Sequence, residues 1–214
     1  MSDAIGKAIF LVVGWVLGLV GSSIIDLLRD WRRVRLIKRA VRTELQELRV
    51  RLVGVVFQVA SHFGRVDKNL LQWLAVTQEG YSGALVGELV DFRPLLAATD
   101  EQLRETSGKL KAAAGVSLIF RRYQLSFLDK HIDQLSHFDV AAQAKLLDIR
   151  AQLGLLTEMV EEAQYFYRLT FQSSLTDVAK SALDKNIDKS HELVAQRARF
   201  LAERIGSYLA ADGA

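Results

Sequence analysis

The chain has 214 residues, no cysteine, a single proline and a formal net charge of +3. Without cysteine there is no disulfide framework, no zinc–thiolate centre and no thiol nucleophile. The charge is unevenly placed: residues 29–42 carry +6, residues 1–28 carry −1 and residues 43–214 carry −2. A nucleic-acid-binding domain needs a basic surface over its folded body, so no nucleic-acid partner is expected.

The first element is an uncharged run of 18 residues, Ala8 to Ile25. As a helix it spans roughly 27 Å, close to the hydrocarbon thickness of a bilayer. The positive residues follow this run, so the short N-terminus is expected outside and the remainder in the cytoplasm, beneath the inner membrane. A cleaved signal peptide has the opposite charge order. Within the run, Gly14, Gly18, Gly21 and Ser22 put small residues along one side. The Gly14-x-x-x-Gly18 spacing allows close approach of two membrane helices and predicts a homo-oligomer.

Next comes a basic, amphipathic juxtamembrane helix over 29–60. Arg29, Arg32, Arg33, Arg35, Lys38, Arg39 and Arg42 fix topology and face anionic lipid headgroups, with Trp31 as an interfacial anchor. Val34, Ile37, Val41, Leu45, Leu48, Leu52, Val55 and Val59 recur every three or four residues, which is the helical period.

The third region, 61–214, is expected to be a cytoplasmic antiparallel helical bundle, giving an all-α chain of one span, one juxtamembrane helix and one bundle. Leu70, Leu71, Trp73 and Leu74 suggest a brief helix ending near Gly80. Residues 81–96 are glycine-rich and close at Pro94, with room for one short helix. Thr99 or Asp100 then caps a long helix running to about Leu135, with Leu118, Leu125, Leu128, Ile132 and Leu135 on one stripe. Asp139 caps the next, where Leu146, Ile149, Leu153, Leu156, Val160, Ala163 and Tyr167 alternate steps of three and four, a bundle or coiled-coil seam. Thr176 caps the last, which carries Val178, Ile187, Val194, Leu201 and Ile205.

Catalytic patterns are absent: no Walker loop, GxSxG, HExxH or CxxC occurs. The Arg–His spacing of HEPN-class ribonucleases fails, because eight residues separate Arg122 from His131. Asp188-Lys-Ser-His191 is the nearest approach to a Glu-x-x-His motif, and it is single. His62, His131, His137 and His191 are each expected to be surface or half-buried polar residues, with no metal and no cofactor. Tyr165, Phe166, Tyr167 and Phe171, with Phe120, Tyr123 and Phe127, read as bundle filling; the sharper alternative is a ligand pocket with Arg121 and Arg122 binding an anion.

The layout is similar to that of small bacterial membrane effectors of anti-phage defence, among them membrane pore proteins that accompany RNA-guided nucleases. The likeness covers the whole chain but is one of layout, with no motif that carries residues across. It implies a non-enzymatic protein that self-assembles and perturbs the membrane. The alternative is an anchored adaptor or sensor whose bundle binds a soluble protein partner or ligand.

Overall fold

Asp139 leaves the extended backbone just before a helix, and its carboxylate accepts the Ala142 N–H at 2.8 Å. Local signals of this kind start most of the long elements seen in a computed structural model. It describes the backbone of residues 2–113, 116–171 and 176–211, and within these the side chains of residue 15 and of residues 29 onward except Glu88. The described chain is all-helical. The elements are α1 Ser2–His62, α2 Lys68–Gln78, α3 Arg93–Ala97, α4 Asp100–Leu110, α5 Ser126–Lys130, α6 Val140–Leu169 and α7 Asp177–Ala211, with 3-10 turns at Val86–Glu88 and Ile132–His137.

The chain divides into two units, residues 1–41 and 42–214. In the first, the Arg35 guanidinium lies 3.9 Å from the centre of the Trp31 ring, a cation–π contact between side chains one helical turn apart. Arg29, Trp31, Arg32, Arg33, Arg35 and Arg39 are exposed, and Lys38 and Arg42 half-buried. Gly14, Gly18, Gly21, Ser22 and the other residues of the apolar run apart from Trp15 lie outside the described side chains. Among the described residues no helix is long and apolar enough to cross a membrane.

The second unit is built on three helices. Arg204 reaches Asp148 at 3.6 Å and Arg197 reaches Gln152 at 2.6 Å, so α6 and α7 run antiparallel. Arg65 pairs with Glu192 at 2.6 Å just past the end of α1, and Arg49 stacks against Gly206, where a Cβ would come within 2.9 Å of the guanidinium. Thus α7 also runs antiparallel to the C-terminal part of α1. The α6 stripe is internal to the monomer: Leu146, Ile149, Leu153, Leu156, Val160 and Ala163 are all buried. Ile187, Val194, Leu201 and Ile205 of α7 meet the same core, whereas Val178 is 81% exposed and does not belong to it.

The long helix expected from Thr99 to Leu135 is not formed. Thr99 does cap α4, through a reciprocal box with Gln102, but α4 stops at Leu110. Beyond it the sequence turns to Gly115 and the β-branched Val116 and Ile119, which are weaker helix formers. The non-helical backbone described from residue 116 onward finds side-chain partners instead. Gln164 of α6 donates to the Phe120 carbonyl at 2.9 Å, and the Glu44 carboxylate accepts the N–H groups of Phe127 and Leu128 at 2.7 and 3.0 Å. The unit therefore has three long helices rather than four. Pro94 opens α3 rather than closing the segment before it, consistent with its fixed φ and missing donor.

Because the α6 stripe is core, truncating it should destabilise the folded chain. Leu156→Ala is expected to cost about 3 kcal/mol, whereas Leu155→Ala, at a position 40% exposed, should stay within about 0.5 kcal/mol. Urea unfolding of the detergent-solubilised full chain, followed by circular dichroism, reads the difference in midpoint.

Candidate ligand cavity

The C-terminal turn of α1 builds one wall of a cavity. Gly64 takes a left-handed conformation, φ +62°, and closes a Schellman motif in which Arg65 N–H reaches the Ala60 carbonyl at 2.8 Å and Gly64 N–H the Ser61 carbonyl at 3.0 Å. A side chain at Gly64 would be strained in φ and would crowd Lys111 and the Ser107 carbonyl. That close approach docks α4 on the turn. Val66 N–H donates to the buried Ser107 hydroxyl at 3.0 Å, and Ala112 N–H to the His62 carbonyl at 3.1 Å.

The cavity, of about 580 Å³, lies between this turn, residues 111–113 and 116–117, the end of α6 and the first half of α7. His62, Ser117, Tyr167, Lys180, Asp184 and Asp188 supply its main polar groups. His191 adjoins them. Its ring stands edge-on to His62, with centroids 5.6 Å apart, and edge-on to Phe120 at 5.2 Å. Ser117 Oγ is 3.4 Å from His191 Nε2.

His191 corrects the sequence reading: it is neither on the surface nor half-buried but fully buried, at 0% exposure. Among the described residues no side chain partners its Nδ1, and the Leu118 backbone lies beside the ring. Burial, and after it the nearby His62, push its pKa from 6.5 down to about 4, against a smaller opposing pull from the Leu118 backbone. The ring is therefore neutral near pH 7. Asp188 and His191 lie three residues apart on one face of α7, and His62 comes from α1. One ligand atom from each of the three lies within 4.8 Å of the others. The residues that sequence reasoning left apart are thus joined by α1–α7 packing. The Asp188-x-x-His191 spacing was the one local signal, and His62 had none. His131 is half-buried and His137 exposed, as expected.

Ser117, His191 and Asp188 are the residue types of a hydrolytic triad, but the arrangement differs. A triad base is oriented by a carboxylate on its second ring nitrogen, and His191 Nδ1 has no such partner. A base with a pKa near 4 is also a weak proton acceptor.

Arg121, Arg122 and Tyr123 line a second cavity of about 480 Å³ together with Arg51, Gln58 and Phe120. Arg122 is already paired with Glu161 at 3.1 Å, and Arg51 lies 3.8 Å from Glu47. Burial raises the Tyr123 pKa, with Arg51 and Arg121 opposing. The aromatic set is divided between the two cavities: Phe120 and Tyr123 at the second and Tyr167 at the first, while Tyr165 and Phe171 are 54% and 71% exposed. No family model, no curated protein and no solved structure matches the chain.

The His191 pKa has a consequence for stability. The native ring refuses a proton that the unfolded ring accepts below pH 6.5, so its effect is nil above that pH. Stability falls as pH drops from 6.5 toward 4, by up to roughly 3 kcal/mol, and no further below. Urea midpoints measured between pH 7.5 and 4 in chelating buffer should show this fall. In His191→Phe, which keeps a ring but removes the titration, the slope should be flatter; equal slopes would remove His191 as the cause.

Proposed function

We propose that the protein is a non-enzymatic, membrane-anchored binding protein. Ala8–Ile25 crosses the inner membrane with the N-terminus outside, Arg29–Arg42 faces anionic headgroups, and the cytoplasmic bundle takes up a soluble ligand. The observation that carries the reading is the cavity at the end of α1, with polar side chains from four parts of the chain around about 580 Å³. That size is within the range of small-molecule sites, where a few placed polar groups give orientation. The internal α6 stripe supports this reading over assembly through that stripe, because Leu146, Ile149, Leu153, Leu156, Val160 and Ala163 are buried within the unit and not offered to another subunit.

Self-assembly is a second reading, favoured by the Gly14-x-x-x-Gly18 spacing within the apolar run. On this reading association occurs between spans, and the membrane-perturbing activity implied by the layout follows from it.

Three measurements test the proposal. The full chain should stay with the membrane pellet at alkaline pH, and a C-terminal tag should resist external protease in intact spheroplasts; release by carbonate would overturn the anchor. Native mass spectrometry of the detergent-solubilised chain exposed to cell extract should show a small molecule retained by the wild type and lost in Ala113→Trp, which fills the cavity mouth. No adduct in either would overturn the binding reading. For self-assembly, Gly14→Ile and Gly18→Ile should lower the mass in detergent while Val13→Ile and Leu17→Ile should not, since lipid tails solvate Ile as readily as Val or Leu.

A further inference from the structure

We infer that His62, Asp188 and His191 bind one divalent transition-metal ion of the zinc class, at the edge of the cavity. The inference rests on reading that cavity as a binding site, and it does not depend on the membrane anchor.

The donor set comes first. Two imidazoles and one carboxylate are borderline ligands that suit zinc and its neighbours, whereas magnesium and calcium take oxygen ligands. The three ligand atoms lie within 4.8 Å of one another. In a tetrahedral site with bonds near 2.1 Å they would be about 3.4 Å apart. Closing that gap takes side-chain rotation rather than backbone movement. Asp188 is exposed and His62 half-buried, so both can adjust, while His191 is the fixed member. The elements are held in register from outside the cluster: Arg65 grips Glu192 one residue beyond His191, and Ala112 N–H holds the His62 carbonyl.

A second, independent observation is the state of His191. A fully buried ring whose Nδ1 meets no full hydrogen-bond partner among the described residues, and which otherwise has a 3.4 Å contact to Ser117 and a contact to the Leu118 backbone, is incompletely satisfied for a polar group in a core. Coordination gives such a ring a partner. Electrostatics further narrow the choice. Lys111 and Lys180 line the same cavity, with Asp184 and Asp188 as its acids. The site has no excess negative field, so affinity has to come from imidazole donation, which hard cations do not receive. Three protein ligands leave a fourth position open toward the cavity, where a ligand could bind the metal directly.

The test uses the purified full chain in detergent, stripped with chelator and then titrated with Zn²⁺ and, as a spectroscopic probe, Co²⁺. One equivalent of zinc should bind, and cobalt should show visible d–d absorption from a low-coordinate site. His62→Ala and Asp188→Asn remove ligands that are not core residues, so these variants should fold. Each should weaken zinc by more than the roughly 100-fold typical of losing a supporting hydrogen bond, and each should abolish the cobalt band. His137→Ala should change neither. Absence of stoichiometric zinc, or zinc binding that survives both substitutions, overturns the inference. The Ala113→Trp adduct experiment reads the cavity separately, so failure of the metal and failure of the cavity are distinguishable.

Discussion

Where α1 ends, its last carbonyls lose their helical partners, and the way they are satisfied decides where His62 stands. The Schellman turn at Gly64 accounts for the carbonyls of Ala60 and Ser61, and the Ala112 amide for that of His62 itself. The first two bonds are local to the turn, and the third requires the segment after α4 in place. The turn needs the left-handed φ that glycine tolerates, and docking of α4 needs the missing Cβ at the same residue. Ser107, buried in α4, then takes the Val66 amide. The cavity wall is therefore the by-product of terminating a long helix without leaving polar backbone buried and unpaired.

The same requirement explains the segment between α4 and α6. A chain that leaves the helix in a partly buried place must still place its N–H and C=O groups. Here α1 and α6 supply them from side chains, through the Glu44 carboxylate and the Gln164 amide. Glu44 takes two adjacent amides at the start of α5, a local N-terminal cap supplied from more than 80 residues away. Phe120 and Leu125 can then be buried from an extended backbone, and Phe120 becomes the wall against which His191 packs.

These contacts mark the limit of what was legible in the sequence. Thr99, Asp139 and Thr176 cap helices through bonds to residues three positions on, and a signal that short can be read from the chain alone. The α6 stripe was legible as a helix with one apolar face, because a regular three–four step has that period, but whether the face met its own chain or another copy was not. The helix predicted across 111–125 failed for the opposite reason. Its apolar residues fit a helical period, but the groups that satisfy the backbone at Phe120, Phe127 and Leu128 belong to residues 164 and 44. The cavity was hidden in the same way: Asp188 and His191 share a face of α7 by spacing, whereas His62 joins them only through the antiparallel packing of α1 on α7.

His191 then poses a question of energetics rather than of pattern. It packs on Phe120 and His62 at the inner edge of the cavity, where a leucine or phenylalanine would fill the position without a polar atom to satisfy. A buried donor or acceptor left unmet costs about 1–3 kcal/mol. That cost is set against a folded stability of only roughly 5–15 kcal/mol in a typical domain. Local inconsistency of this kind, in a chain whose caps and stripes otherwise agree with the fold, is expected where a site has a task beyond packing. The arrangement fits that account in detail. The cost falls on the one group that packing holds rigid, while His62 and Asp188, which share the site with it, keep access to solvent and the freedom to close on a ligand.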